Sequence, residues 1–378
     1  MTRRQPGEVR DAIRHVLGST REMTTGEIVI GVRQMLDGQV PSSSVRSYLN
    51  ANVGDQFTRT SRGMYRIANS FVDALRGDGY QSPVFSFGRT ELFQSDCLDW
   101  LRGRAEESIT AVVTDPPYGL TEYSKLEQSK LRTNAGGGVW RIPPSFDGTQ
   151  RSPLPRFTIM STGDLKEMHD FFETWAELLL PALVPGAHVM LACNPLVSPY
   201  ISMALADAGL ERRGEIVRRV MTMRGGDRPK GAHEEFPDVS VMPRSQWEPW
   251  LLYRKPIATR TVADNLRKYK AGGLRRISDS QPFGDVIVSH PTNASEKKLA
   301  NHPSLKPQSF LRQIVRASLP MGEGVVCDPF AGSGSTLAAA EAVGYSSVGV
   351  EMDTHYVELA KQAIPKLAAM SVKRSLED

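Results

Sequence analysis

Cysteine is scarce: Cys97, Cys193 and Cys327 lie far apart in 378 residues, with no Cys-x-x-Cys spacing. That argues against a disulfide framework and a zinc site, and a reducing cytoplasm fits. No apolar run approaches the roughly 20 residues that span a membrane. The opening Met1-Thr2-Arg3-Arg4-Gln5-Pro6-Gly7 has no apolar stretch behind it, so no secretory signal is expected. The histidines are scattered and suggest no metal, and no internal repeat is visible. What remains is ordinary for a water-soluble globular chain: 40% apolar, 23% charged, and long enough for two or three domains.

The net charge of +4 is small, but its distribution is uneven: residues 211–276 hold sixteen Lys and Arg against eight Asp and Glu. A basic segment inside a near-neutral chain fits a phosphate-facing surface, or a solvated charged face.

The chain is organised around Asp115-Pro116-Pro117-Tyr118. The apolar run Ile109–Val113 leads into it and reads as a buried parallel strand. Two prolines then end the strand and stiffen the backbone. A carboxylate, a rigid carbonyl and a ring are therefore held at the strand's carboxyl end, where ligands bind in open α/β sheets. Such a trio suits a flat ring bearing an amine. Asp-Pro-Pro is also ordinary turn chemistry. What decides between the two is a second stretch, Asp328-Pro329-Phe330-Ala331-Gly332-Ser333-Gly334-Ser335-Thr336.

Residues 1–69 read as a separate unit: two helices with apolar residues at helical spacing, a third from Ser42 to Asn50, and a hairpin turning at Ser61-Arg62-Gly63. Three helices and a hairpin resemble a winged helix-turn-helix. The third helix, with Arg46, would enter a major groove, and Arg59, Arg62 and Arg66 on the wing would touch backbone. A winged helix used for protein contacts is the alternative. Residues 70–90 read as a linker. A short strand, 92–98, ends on a carboxylate, Asp96, followed by Cys97. Residues 120–161 lose all pattern and read as a loop over the site. A helix resumes at Asp164 and breaks at Gly186; strands are expected at 189–193, 216–223 and 249–253. Arg260, Arg267, Lys268, Lys270, Arg275 and Arg276 fall in a Gly-containing stretch of weak periodicity that suits a DNA groove.

From Val325 to Glu351 the order is strand, glycine turn, helix, strand, acid, which is the form of a nucleoside-binding half of a doubly wound sheet. The glycines let backbone approach a ligand. Glu351, seventeen positions after Gly334, is placed to accept bonds from two ribose hydroxyls. There is no Walker lysine, which disfavours a polyphosphate ligand.

Asp115-Pro-Pro-Tyr118, His302-Pro-Ser-Leu-Lys-Pro307 and Asp328–Thr336, in that order, resemble the amino DNA methyltransferases, and the motif order resembles their β group. The resemblance covers roughly residues 90–370. It implies an α/β fold with a doubly wound, mostly parallel, seven-stranded Rossmann-like sheet entered at a permuted point, in a domain spanning 91–378, with target recognition at about 224–300. It implies S-adenosylmethionine as methyl donor. The donor would be held by Asp328, Phe330, Ala331, Gly332, Ser333, Gly334, Ser335 and Thr336, with Glu351 on the ribose, Asp96 and Cys97 at the adenine side, and Lys306 closing the methionine side. Asp115 and the Pro116 carbonyl would accept both hydrogens of an exocyclic amine, freeing its lone pair. Pro117 stiffens the loop and Tyr118 would stack on a base flipped from the duplex. Asp in the first position of the tetrapeptide resembles the adenine N6 enzymes, with cytosine N4 methylation as one alternative and a catalytically silent DNA-binding regulator as another. The implied partner is double-stranded DNA, with a homodimer and a cognate restriction endonuclease as two further options.

Overall fold

The computed structural model describes residues 8–17, 22–36, 40–53, 57–61, 63–67, 82–117, 145–146, 149–150, 162–220, 226, 228–229, 231–300 and 305–372. Arg62, Tyr118, most of the predicted 120–161 loop and His302-Pro303-Ser304 lie outside them.

The amino-terminal unit has helices Glu8–Leu17, Thr25–Met35 and Ser42–Ala51 and the strands β1 (Met23–Thr24), β2 (Phe57–Ser61) and β3 (Met64–Ile67), ordered β1-β3-β2. Thr24 starts the second helix through a capping box: its hydroxyl accepts from Glu27 N at 3.2 Å while its own N donates to Glu27 Oε2 at 2.8 Å. The apolar spacing read in the sequence buries Ile13, Leu17, Ile28, Val32, Val45 and Leu49 in one core with Phe57 and Tyr65. Arg46 and Arg59 are exposed.

The rest of the chain is built on a nine-stranded sheet in the order β12-β10-β11-β9-β6-β13-β14-β5-β4. Its strands are β4 (Phe85–Phe87), β5 (Thr90–Gln94), β6 (Ile109–Thr114), β9 (Leu183–Ala192), β10 (Glu211–Arg219), β11 (Trp247–Arg254), β12 (Val286–Val288), β13 (Val325–Asp328) and β14 (Ser346–Glu351). A separate short pair, β7 (Ser145–Phe146) and β8 (Thr149–Gln150), completes the set. The central strands β9-β6-β13-β14-β5 run parallel, whereas β11 is antiparallel to both β9 and β10. Every residue of β6 and β13 is buried, because helices cover both faces. Val112 and Cys327 face a core with Phe172 and Trp175, while Ala111, Val113 and Val326 face one with Phe310, Ile314 and Trp250.

Several expectations are corrected here. The sheet has nine strands rather than seven, though it is mostly parallel as expected, with three antiparallel pairings. It also begins inside the expected linker: β4 pairs with β5, and Phe85 and Phe87 pack on the cluster of Leu92, Leu337 and Ile364. The strand expected at 189–193 starts at Leu183 and runs through Gly186, whose positive φ of 87° a glycine accepts. Residues 262–269 form a helix capped by Thr261, whose hydroxyl accepts from Asp264 N at 3.1 Å. Among the described residues no helix is long and apolar enough to cross a membrane.

Candidate active site

Parallel strands bring their carboxyl ends to one edge, and the residues singled out in the sequence collect there. Asp115 follows β6, Asp328 ends β13 and Glu351 ends β14. Lys306 precedes the helix Gln308–Ser318, in an extended stretch held by a second capping box. In that box the Asn293 side chain and Glu296 cap the helix Ala294–Leu299, and Glu296 Oε1 then accepts from Gln308 N at 2.9 Å. A small cleft at this edge is lined by Asp115, Lys306, Asp328, Phe330, Gly332 and Thr336, among others.

The glycine turn is held by its own protein contacts. Gly332 (φ 51°) and Gly334 (φ 77°) are left-handed, and a Cβ on Gly334 would run into Ile364. Glu351 fastens the turn: Oε2 accepts from Gly332 N at 2.9 Å and Oε1 from Asp353 N at 2.8 Å. Each oxygen keeps a further lone pair. Asp328 is 3% exposed and anchors the turn from below. Its carboxylate accepts from the Thr114 hydroxyl at 2.6 Å, from Phe330 N at 3.2 Å and from the Thr336 hydroxyl. Burial pushes its pKa up to about 6, with Asp115 adding to the rise and the three hydrogen bonds opposing it. Ala331 and Ser333 are buried within the turn, and the Ser335 carbonyl accepts from Gln308 Nε2 at 2.8 Å. The Phe330 ring packs 6.0 Å from Trp175 and 6.3 Å from Phe171, centroid to centroid.

Asp115 is ion-paired. Lys306 Nζ lies 2.5 Å from Asp115 Oδ2 and 3.1 Å from Glu248 Oε1. Glu248 Oε2 in turn takes Arg218 Nη1 at 2.6 Å. Burial alone would lower the Lys306 pKa, but the Asp115 and Glu248 carboxylates outweigh it and hold the ammonium above the ordinary lysine value. Burial alone would raise Glu248, but Lys306 and Arg218 hold it below the ordinary value. Sequence reading missed Glu248 and Arg218. The signal for Glu248 is a charge inside an apolar strand, which has to be paired to be buried; Arg218 sits in a strand already rich in charge and carries no such signal.

Two predicted cofactor residues have other engagements. Asp96 caps the helix Cys97–Arg102, its Oδ1 accepting from Leu98 N at 2.8 Å and Asp99 N at 3.1 Å. It still lies beside the site, since Ser95 N donates to the Glu351 carbonyl at 3.2 Å. The Cys97 side chain is buried in the core with Trp100 and Phe93, where burial, with Asp96 nearby, pushes the thiol up to about 12, so only its backbone is left to meet a ligand.

The basic stretch 260–276 is not beside Asp115. It follows β11, which runs antiparallel to its neighbours and so delivers the chain to the amino-terminal edge. There Lys268 and Lys270 line a hollow with Ser108 and Thr110, at the start of β6. Arg275 Nη1 donates to the Tyr345 hydroxyl at 2.7 Å, Arg267 pairs with Asp264 at 2.7 Å on its own helix, and the Arg276 carbonyl accepts from Arg316 Nη1 at 2.7 Å. Arg260 is exposed. The stretch expected to suit a DNA groove therefore lies at the amino-terminal edge, away from Asp115. The segment on the catalytic edge is instead 220–246, which joins β10 to β11.

A DNA methylase family model matches residues 109–362, from β6 into the last helix, leaving the amino-terminal unit outside. The type II methyltransferase M2.DpnII of Streptococcus pneumoniae is 23% identical over 286 residues, covering 75% of this chain and 92% of that protein. The DNA adenine methyltransferase YhdJ of Escherichia coli (strain K12) is 42% identical over 130 residues, 30% of this chain and 43% of that protein. Among solved structures, a PvuII DNA methyltransferase (cytosine-N4-specific) aligns at a TM-score of 0.48 and 15% identity, covering 78% of this chain and 91% of that one.

Proposed function

The chain belongs to the DNA methylase family, and on that premise we propose that it transfers a methyl group from S-adenosylmethionine to the N6 amine of adenine at a specific sequence in double-stranded DNA. The observation that carries this reading is the meeting, in one cleft, of Asp115 behind two prolines with a glycine turn fastened by Glu351. The residues present fit the cofactor. Glu351 is a fixed carboxylate with lone pairs left for a vicinal diol, and the turn Phe330–Thr336 presents backbone rather than bulky side chains at Gly332 and Gly334. When bound, S-adenosylmethionine supplies an electrophilic methyl group on sulfur.

Everything else falls to the chain's own residues. The exocyclic amine is a poor nucleophile because its lone pair is conjugated into the ring. Asp115 and the Pro116 carbonyl accept its two hydrogens, which favours a pyramidal nitrogen and stabilises the charge that develops there. Tyr118 stacks on the flipped base. Adenine is favoured over cytosine by Asp at the first position of the tetrapeptide and by the name of the Escherichia coli relative. In this reading the 220–246 segment, with exposed Arg228 and Arg244, reads the target. The amino-terminal unit is a winged helix whose third helix, with Arg46, enters the major groove while Arg59 on the wing meets backbone phosphates. Double-stranded DNA is the partner. A cognate restriction endonuclease follows by analogy with the type II relative.

Modification-sensitive sequencing of DNA from cells expressing the protein, beside an Asp115→Ala control, tests this. The expected result is one motif carrying N6-methyladenine, with the control reduced on the order of 10³-fold or more. N4-methylcytosine would overturn the choice of base, and no mark on any DNA would overturn the activity.

A further inference from the structure

The ionic chain at the cleft reaches beyond the catalytic motif. Asp115, Lys306, Glu248 and Arg218 alternate in sign, and their side chains are only 15%, 12%, 16% and 7% exposed. For stability alone such a chain is a poor device, because packed apolar residues serve as well. For fixing where a charge sits it is a good one. Lysine has a flexible four-carbon stem, so its ammonium is placed by the carboxylates around it. Here one is Asp115 and the other is Glu248. Glu248 is itself fixed by Arg218, whose guanidinium also donates to Ser289 Oγ at 3.0 Å and the His290 carbonyl at 3.1 Å and lies 5.2 Å from the Phe310 ring centroid. Holding one carboxylate oxygen of Asp115 sets the plane of the other.

The far end of this chain is as informative. Arg218 and Glu248 are register partners across β10 and β11. They form the stem of the 220–246 segment on the catalytic edge.

We propose that Glu248, backed by Arg218, is a positioning residue that aims Asp115 through Lys306. This rests on the methyltransferase reading. The test uses the full chain, unmethylated bacterial genomic DNA and labelled S-adenosylmethionine, with Glu248→Gln, Lys306→Met and the double variant. Glu248→Gln is expected to lower kcat ten- to a hundredfold, with KM for DNA and the calorimetric Kd of the cofactor within threefold of wild type. Glu248→Asp should recover part of kcat, and the double variant should lose no more than Lys306→Met alone. Should Glu248→Gln fail to fold, Arg218→Lys keeps the charge, loses the fork and should show the same selective fall in kcat. A folded Glu248→Gln with kcat within twofold of wild type, or additive losses in the double variant, would overturn the proposal. Hydrogen exchange gives a readout without turnover: amides at 113–115 should exchange faster in Glu248→Gln, while those of β14 should not. Unchanged exchange at 113–115 would also overturn it. Wild-type protein that methylates no DNA would sink the methyltransferase reading instead, leaving the exchange result to decide the network.

Discussion

The two edges of the sheet use charge differently. At the carboxyl edge charged side chains meet one another: Asp115 with Lys306, Lys306 with Glu248, Glu248 with Arg218. At the amino edge polar side chains mostly hold backbone. Asn265 is fully buried, donating to the carbonyls of Pro185 and Ala271 at 2.8 Å each and accepting from Ala258 N at 3.2 Å. Arg254 pairs with Glu211 and donates to the Gly272 carbonyl at 3.2 Å, and Lys255 donates to the Leu183 carbonyl at 2.8 Å. One edge stitches irregular chain into place. The other arranges charges around an opening. Much of the basic excess read from composition belongs to the first, which is why counting cations did not locate the site.

The comparison can be broken at three places. The largest effect is expected from Asn265→Ala, which strands two buried carbonyls and the Ala258 amide. Roughly 1–3 kcal/mol for each unmade bond puts the loss on the order of 3–5 kcal/mol, visible in calorimetric Tm. Where the protein is still folded, kcat should be unchanged; a fall in kcat at an unchanged Tm would give the amino edge a part in the chemistry.

A smaller effect, of pH, is expected at Asp328. Its carboxyl is held at about 6 in the folded protein, above the ordinary 3.8. The native state therefore keeps a proton that the unfolded chain has lost. The associated stability is fully present below 3.8 and is lost as pH rises through 6, by about 3 kcal/mol. Asp328→Asn cannot ionise, so its stability relative to wild type should rise between pH 5 and pH 7.5 in urea titrations. A gap that is flat with pH would mean that the carboxyl is already ionised in the fold across that range, its pKa not raised.

The smallest effect is expected from reversing charge at Lys268 and Lys270 together. With DNA on the carboxyl edge, DNA affinity at fixed salt should change less than threefold. A tenfold loss would bring a phosphate backbone to the amino edge.

What the sequence could show followed from how local each requirement is. Asp115 stood out because two prolines must end a strand, and Asp328 and Glu351 because a strand, a glycine turn and an acid lie within one short unit. Glu248 and Arg218 meet only through the antiparallel register of β10 and β11, and Lys306 reaches Asp115 across 191 positions. The placement of 260–276 turned on the direction of β11, which no single stretch encodes. Cys97 follows Asp96 in sequence, but a helix beginning there sends the thiol into the core. The strand at 85–87 was hidden among turn residues and exists because β5 offers it an edge.

The fastening of Glu351 by two backbone amides has a further consequence, for the order of events. A pocket whose acceptor is already locked has no competing shape to abandon, so affinity on that side carries little conformational penalty. The small molecule can dock on the free protein as readily as on the DNA-bound one. Any cost of rearrangement then falls on the polymer side. Encounter should then run with the donor first and the duplex second.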